Sequence, residues 1–104
     1  MEGNQAEASE RRVEASEIRT LFNQSGLFGQ FLRGELNTKI EADRLARAEL
    51  GMPEGTRSQV VRYFGPDGQE LALVHQYLLP DGTIGGSGRP DPKRLILDDE
   101  IIYC

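Results

Sequence analysis

The residues best suited to chemistry lie between Gly85 and Arg94, where the sequence reads GGSGRPDPKR. Its glycines expose backbone N–H groups, and successive N–H groups of this kind form concave sites for anions. Ser87 adds a hydroxyl, and three basic side chains add positive charge. This combination suits a phosphate or a carboxylate. We therefore predict an anion site formed by Gly86, Ser87, Gly88, Arg89 and Lys93.

The same stretch also fits a plain flexible loop. It lacks the GxxxxGK[ST] spacing of a phosphate-binding loop, and no helix follows it whose N-terminus would attract an anion. In this interpretation the prolines fix the direction in which the chain leaves the loop, and the basic side chains are solvated. Asp91 would then neutralise Arg89 or Lys93 and order the loop.

His75 is the only histidine, and it lies in the middle of a predicted strand. Alternation places it on one face with Leu71, Leu73 and Tyr77, so it would be half-buried if these leucines face the core. One interpretation is a structural histidine that forms a hydrogen bond across the sheet. The other is a general acid or base close to the glycine loop, which follows the adjoining turn.

Other residue types offer little further chemistry. One His and one Cys cannot make a zinc site, and the carboxylates at 98–100 lack the spacing of a calcium loop and fit a turn. We predict no metal and no cofactor. The single cysteine, Cys104, excludes an internal disulfide and favours a reducing, cytoplasmic location. No apolar run is long enough to cross a membrane, so no membrane association is expected.

The balance of charge narrows the choice of partners. The net charge is −5, and a phosphate-binding face needs clustered Lys and Arg, which argues against broad nucleic-acid binding. The 104 residues predict one domain, here placed at 9–104, with a disordered tail at 1–8.

The elements that would position these residues are mainly strands. Two Pro-Asp-Gly tripeptides, at 66–68 and 80–82, each follow a β-rich run and predict hairpin turns closed by Gly68 and Gly82. Strands are expected at 59–64 and 69–78, with a short third strand from Thr83. A terminal hairpin joins 95–97 to 101–103, so the sheet spans 59–103.

Helices are predicted in the first half, over 9–51. Ile18, Leu21 and Phe22 share a face of a helix at 9–24, which Gly26 ends, and a second helix covers 27–32. A capping box from Thr38 to Glu41 predicts a third helix to residue 50. The fold class is therefore α+β, with N-terminal helices packed on one face of an antiparallel β-meander of three to five strands.

These features favour a small cytoplasmic interaction module without enzymatic activity. It would bind a protein partner, or a second copy of itself, through residues 9–32. The alternative is a small hydrolase or nucleotide-handling enzyme, in which the loop from Gly85 to Arg94 holds phosphate and His75 acts as acid or base.

Overall fold

Residues 9–104 are described by a computed structural model, and they form six strands and two α-helices. The predicted tail at 1–8 lies outside the described residues. In chain order the elements are β1 (Ser9–Arg12), α1 (Ala15–Ser25), α2 (Leu27–Leu32), β2 (Asn37–Leu45), a 3₁₀ turn (Ala48–Leu50), β3 (Arg57–Phe64), β4 (Glu70–Leu78), β5 (Asp91–Leu97) and β6 (Glu100–Tyr103).

The strands form a single open sheet in the order β1-β6-β5-β4-β3-β2. Every neighbouring pair is antiparallel except β1 and β6, which run parallel. The predicted α+β class is confirmed. The predicted meander of three to five antiparallel strands is only partly right, because the sheet has six strands and is mixed.

Both hairpin turns form as predicted, because the glycine and the aspartate of each turn stabilise its backbone conformation. Gly68 and Gly82 have φ values of 83° and 89°, a left-handed conformation that side chains resist. Each donates its N–H to a carbonyl three residues earlier at 2.9 Å. Asp67 and Asp81 accept hydrogen bonds from the N–H two residues on, at 3.0 and 2.9 Å.

The helix predicted from Thr38 to residue 50 is wrong, because this segment forms β2 and a 3₁₀ turn. β2 pairs along its length with β3, with a β-bulge beside Ile40. As a helix, this segment would leave the outer N–H and C=O groups of β3 without partners, which is costly for a half-buried strand. The local capping signal is worth only about 1 kcal/mol and loses to this pairing.

The helix predicted over 9–24 begins late, at Ala15. Residues 9–12 form β1, which extends the sheet beside β6. Both β1 and β2 therefore lie within residues 9–51, where only helices were expected. The predicted strand at Thr83 is reduced to a single bridge between Leu78 and Ile84, and the next strand is β5.

The core lies between the helices and one face of the sheet. α1 and α2 bury apolar side chains against the four central strands, Leu27 and Phe28 among them, whereas Leu32 is exposed. The core residues are Ile18, Phe22, Leu27, Phe28, Val61, Tyr63, Ala72, Val74, Leu95 and Ile102. At about 1.5–3 kcal/mol for each large apolar side chain, this burial is the main stabilising contribution.

The face of β4 that meets the core is the one that carries Ala72 and Val74. Ala72, Val74 and Gln76 are buried, whereas Leu73 and His75 are half-buried on the other side. We call this second side, which faces away from α1 and α2, the open face. The pairing of Val74 with the buried Val61 fixes this arrangement, because side chains at paired positions share a face.

Candidate functional site

The glycine loop connects β4 to β5 and lies against the end of β4. Gly85 donates its N–H to the Tyr77 carbonyl at 2.8 Å, which holds the start of the loop in place. A Cβ on Gly85 would lie 2.7 Å from Met52 Cε, so the flexible end of the Met52 side chain would have to move to admit a larger residue. Gly86 and Gly88 have φ values of 67° and 84°, which make Ser87 the tip of a tight turn.

An open cleft of about 740 Å³ brings the predicted site residues together. His75, Gly86, Ser87, Arg89 and Lys93 all line it. Gly88 is not among the lining residues. Arg19 of α1 also lines the cleft, a residue that sequence reasoning missed because the helix reaches the loop only through the tertiary fold.

The basic side chains of this cleft differ in how far they are already neutralised. Lys93 Nζ lies 2.9 Å from Asp91 Oδ2, and this pair satisfies both charges. The expectation that Asp91 neutralises a basic residue of the loop is therefore met at Lys93. Arg89 donates from Nη1 to the neutral Asn23 Oδ1 at 3.3 Å, so its charge has no acidic partner within residues 9–104.

His75 forms a hydrogen bond with Ser58 of the neighbouring strand. The distance from His75 Nε2 to Ser58 Oγ is 2.8 Å. The His75 and Tyr77 rings pack edge to face, with their centres 4.7 Å apart. Burial lowers the pKa of His75, the charge of Lys93 lowers it further, and Asp91 opposes this shift. His75 is therefore neutral at neutral pH, which suits a base as well as a structural role.

This Ser–His pair lacks the third member of a catalytic triad. Asp91 is paired with His75 in the sheet register, but its carboxylate binds Lys93, and within residues 9–104 no hydrogen bond joins it to His75. A triad needs that carboxylate to fix the imidazole tautomer. Ser58 could not be singled out from the sequence, because only the register of β3 and β4 brings it to His75.

Several ion pairs form a row across the open face. Arg94 Nε lies 2.7 Å from Glu70 Oε2, and Arg62 Nη1 lies 3.6 Å from the other oxygen of Glu70. Arg62 Nε lies 3.6 Å from Glu41, beyond hydrogen-bond distance. Glu70 is half-buried between two arginines, so the charges of the row neutralise one another.

Glu70 and Arg94 of this row also line a groove of about 490 Å³, which we call the open-face groove. Its apolar lining comes from β4, β5 and β6, in Leu73, Ile96, Ile101 and Tyr103. Ile96 and Ile101 are directly paired across the strands. The segment from Ala46 to Leu50 reaches the open face near Ser58 and Tyr77, but within the described part of the chain it does not line this groove.

Clusters of metal-ligating side chains and helices of membrane-spanning length are absent from residues 9–104. No group of three or more His, Cys, Asp or Glu side chains is placed there to hold a metal ion. Over the same residues, no helix has the length and apolar character needed to span a bilayer. Asp98 and Asp99 have positive φ values of 49° and 63° and form the turn between β5 and β6.

Comparisons of the chain with protein-family models, with curated proteins and with solved structures found no significant match. Function is therefore inferred from the chemistry and packing of the described residues.

Proposed function

We propose that the protein is a small cytoplasmic, non-enzymatic interaction module that binds an amphipathic helix of a partner protein in the open-face groove. The supporting observation is the apolar lining of that groove by Leu73, Ile96 and Ile101, over which no element of residues 9–104 packs. An antiparallel sheet with one solvated face normally alternates apolar and polar residues. Here Ile96 and Ile101 are paired apolar residues, while Arg94 lies between Leu73 and Tyr103. Apolar residues grouped on the solvated side of a sheet are typical of a binding site.

The dimensions of the groove favour a helix as the occupant. Its apolar residues lie on three adjacent strands, and with a spacing of about 4.8 Å between strands the patch is about 10 Å wide. A single α-helix with its side chains is about 10–12 Å in diameter. A second sheet would need a wider apolar face to bury a comparable area.

Charge favours a partner helix with basic flanks. The chain carries a net charge of −5, which steers basic partners toward it. Beside the groove, Glu10 on the edge strand and Asp98 and Asp99 in the β5–β6 turn form no ion pair within residues 9–104. Lys93 and Arg94, which also line the groove, are neutralised by Asp91 and Glu70.

The surface expected from sequence, residues 9–32, gives less support to binding. Ile18, Phe22, Leu27 and Phe28 are buried in the core and are not available to a partner. Leu32, with 66% of its surface exposed, is the main apolar side chain left outside. The proposed binding surface therefore lies on the opposite side of the sheet.

The enzymatic alternative rests on one observation, that His75 lines the same cleft as the glycine loop. Its support is weaker, because Asp91 is held by Lys93 and the pair of Ser58 and His75 has no carboxylate to orient it. A hydrolase would also need donors aimed at a developing negative charge.

The exposed, unpaired thiol of Cys104 fits the proposed reducing compartment.

The test uses a synthetic amphipathic helical peptide with a leucine stripe flanked by lysines. We expect amide shifts in NMR titration confined to β4, β5 and β6 near the groove. Replacing Ile101→Lys should weaken binding about tenfold or more, because it removes a buried contact and adds like-charge repulsion. Ile40→Lys is the matched control, since Ile40 is exposed on β2 outside the groove.

Three outcomes would overturn the proposal. The first is the absence of shifts at millimolar peptide, and the second is equal weakening by Ile101→Lys and Ile40→Lys. The third is a concentration-dependent dimer in sedimentation that Ile101→Lys alone converts to monomer, because the occupant would then be a second copy. An unchanged amide spectrum elsewhere in Ile101→Lys serves as the control for folding.

A further inference from the structure

Two arginines from distant parts of the chain converge at the tip of the glycine loop. Arg19 of α1 and Arg89 of the loop both line the cleft of about 740 Å³, and both also line an adjoining cleft of about 340 Å³ beside α1. Ser87 borders both clefts too. These three residues therefore lie at the boundary between the two clefts.

Arg89 is held in a fixed orientation without losing its charge. Its guanidinium carbon lies 5.5 Å from the centre of the Phe28 ring, and Nη1 donates to Asn23 at 3.3 Å. The guanidinium thus lies within cation–π distance of the ring, and apart from Nη1 its donors form no hydrogen bond within residues 9–104, so they stay available to a ligand. A donor that is already ordered loses little entropy when a ligand binds.

Arg19 also keeps its hydrogen-bonding capacity. Its nearest acidic contact within residues 9–104 is Asp91 Oδ1 at 3.7 Å, which is beyond hydrogen-bond distance. The other oxygen of Asp91 is bonded to Lys93 at 2.9 Å, so this carboxylate is already neutralised. Arg19 therefore keeps its hydrogen-bond donors although it lies within ion-pair distance of Asp91, and the charge of Arg89 has no acidic partner among the described residues.

We propose that Arg19, Arg89 and Ser87 bind the phosphate group of a small phosphate monoester, whose organic part occupies the larger cleft. Two guanidinium groups neutralise a dianion and match its oxygens with paired hydrogen bonds. The volume of about 740 Å³ lies in the range of small-molecule sites. Gly86, whose left-handed conformation turns the chain before Ser87, completes the loop side. Lys93, part of the site predicted from sequence, is excluded because Asp91 holds it.

This site is independent of the helix-binding groove on the open face. The two share only Lys93 as a lining residue, and neither proposal needs it. Failure of one binding test therefore leaves the other unaffected.

The test is an NMR titration with inorganic phosphate and with adenosine 5′-monophosphate, against sodium chloride at equal ionic strength. We expect shifts in the amides of residues 85–90 and in the Nε–H of Arg19 with both phosphate ligands, and binding of the monoester at least as tight as that of phosphate. Arg89→Lys, which keeps the charge but loses the planar fork and the stacking, should weaken binding about tenfold or more. Arg19→Ala should weaken it comparably.

Arg47→Lys is the matched control, because Arg47 forms no ion pair within residues 9–104 and lies near the other side of His75. Unchanged binding in Arg89→Lys would indicate general attraction between charges and would overturn the site, and so would equal weakening by Arg47→Lys and Arg89→Lys, because the effect would then not be specific to the loop. The absence of shifts at millimolar ligand would also overturn it. Binding of phosphate but not of the monoester would overturn the assignment of the larger cleft.

Discussion

Replacing Tyr63→Phe should make the protein more stable. The Tyr63 side chain is fully buried, and within residues 9–104 its hydroxyl has no hydrogen-bond partner. Burial also raises the pKa of the Tyr63 hydroxyl far above its ordinary value. A buried polar group without a partner costs about 1–3 kcal/mol, and phenylalanine removes this cost while keeping the ring.

The ring itself should stay in place, because it packs against two other aromatic side chains. The Phe31 ring lies parallel to it at 5.1 Å between centres, and the Phe22 ring is tilted at 6.4 Å. Losing one oxygen atom from a close-packed site removes a few tenths of a kcal/mol of dispersion. The net expectation is a gain of about 1 kcal/mol in the free energy of unfolding, or a rise in Tm of about 4–8 °C.

Denaturant unfolding followed by circular dichroism measures this change, with the m-value as a check that the unfolded state is unaltered. Tyr63→Leu is the control, because it also removes the hydroxyl but loses both ring contacts, and it should destabilise by about 2 kcal/mol. If Tyr63→Phe destabilises the protein by 1 kcal/mol or more, the hydroxyl is hydrogen-bonded in solution and the reasoning is wrong.

Two further predictions concern His75 and the hairpin turns. Because the pKa of His75 is lowered in the folded protein, the unfolded state binds its proton first. The contribution of His75 to stability should therefore be complete above about pH 6.5 and should fall as the pH drops below that value. Denaturant midpoints measured between pH 5 and 8 should show this fall. In His75→Gln the dependence of the midpoint on pH should be weaker. Gly82→Val should destabilise the protein by about 1–2 kcal/mol. The cause would be the left-handed backbone conformation alone, since a Cβ at this position meets no atom within 4 Å. A variant as stable as the wild type in the same assay would contradict this.

The sequence predicted those parts of the fold in which local chemistry and tertiary packing agree. The turns at Gly68 and Gly82 need a left-handed residue whatever surrounds them, and Gly26 ends α1 for the same reason. β1 was missed because its pairing partner, β6, lies almost at the other end of the chain. No local pattern in residues 9–12 distinguishes that strand from the start of a helix.

Only part of the candidate site could be predicted, because only some of its residues carry a signal in the local sequence. The glycine loop carries its own signal in its composition, so Ser87 and Arg89 could be named in advance. Arg19 and Ser58 carry none, because a single arginine on a helix and a single serine on a strand are common surface residues. Only the packing of α1 beside the loop and the register of β3 against β4 bring them to the site.

The sequence of β4 does not decide which face of the strand meets the core, and the reason bears on function. Its sequence from Leu71 to Tyr77 is apolar at both sets of alternate positions, so the hydrophobic pattern alone could not decide which set faces the core. Packing selects Ala72 and Val74, whose small side chains let α1 and α2 approach the sheet, and leaves Leu73 on the open face. A strand that is apolar on both faces is typical of a sheet that is covered on both. The apolar residue Leu73 on the open face is therefore consistent with the proposed partner helix in the open-face groove.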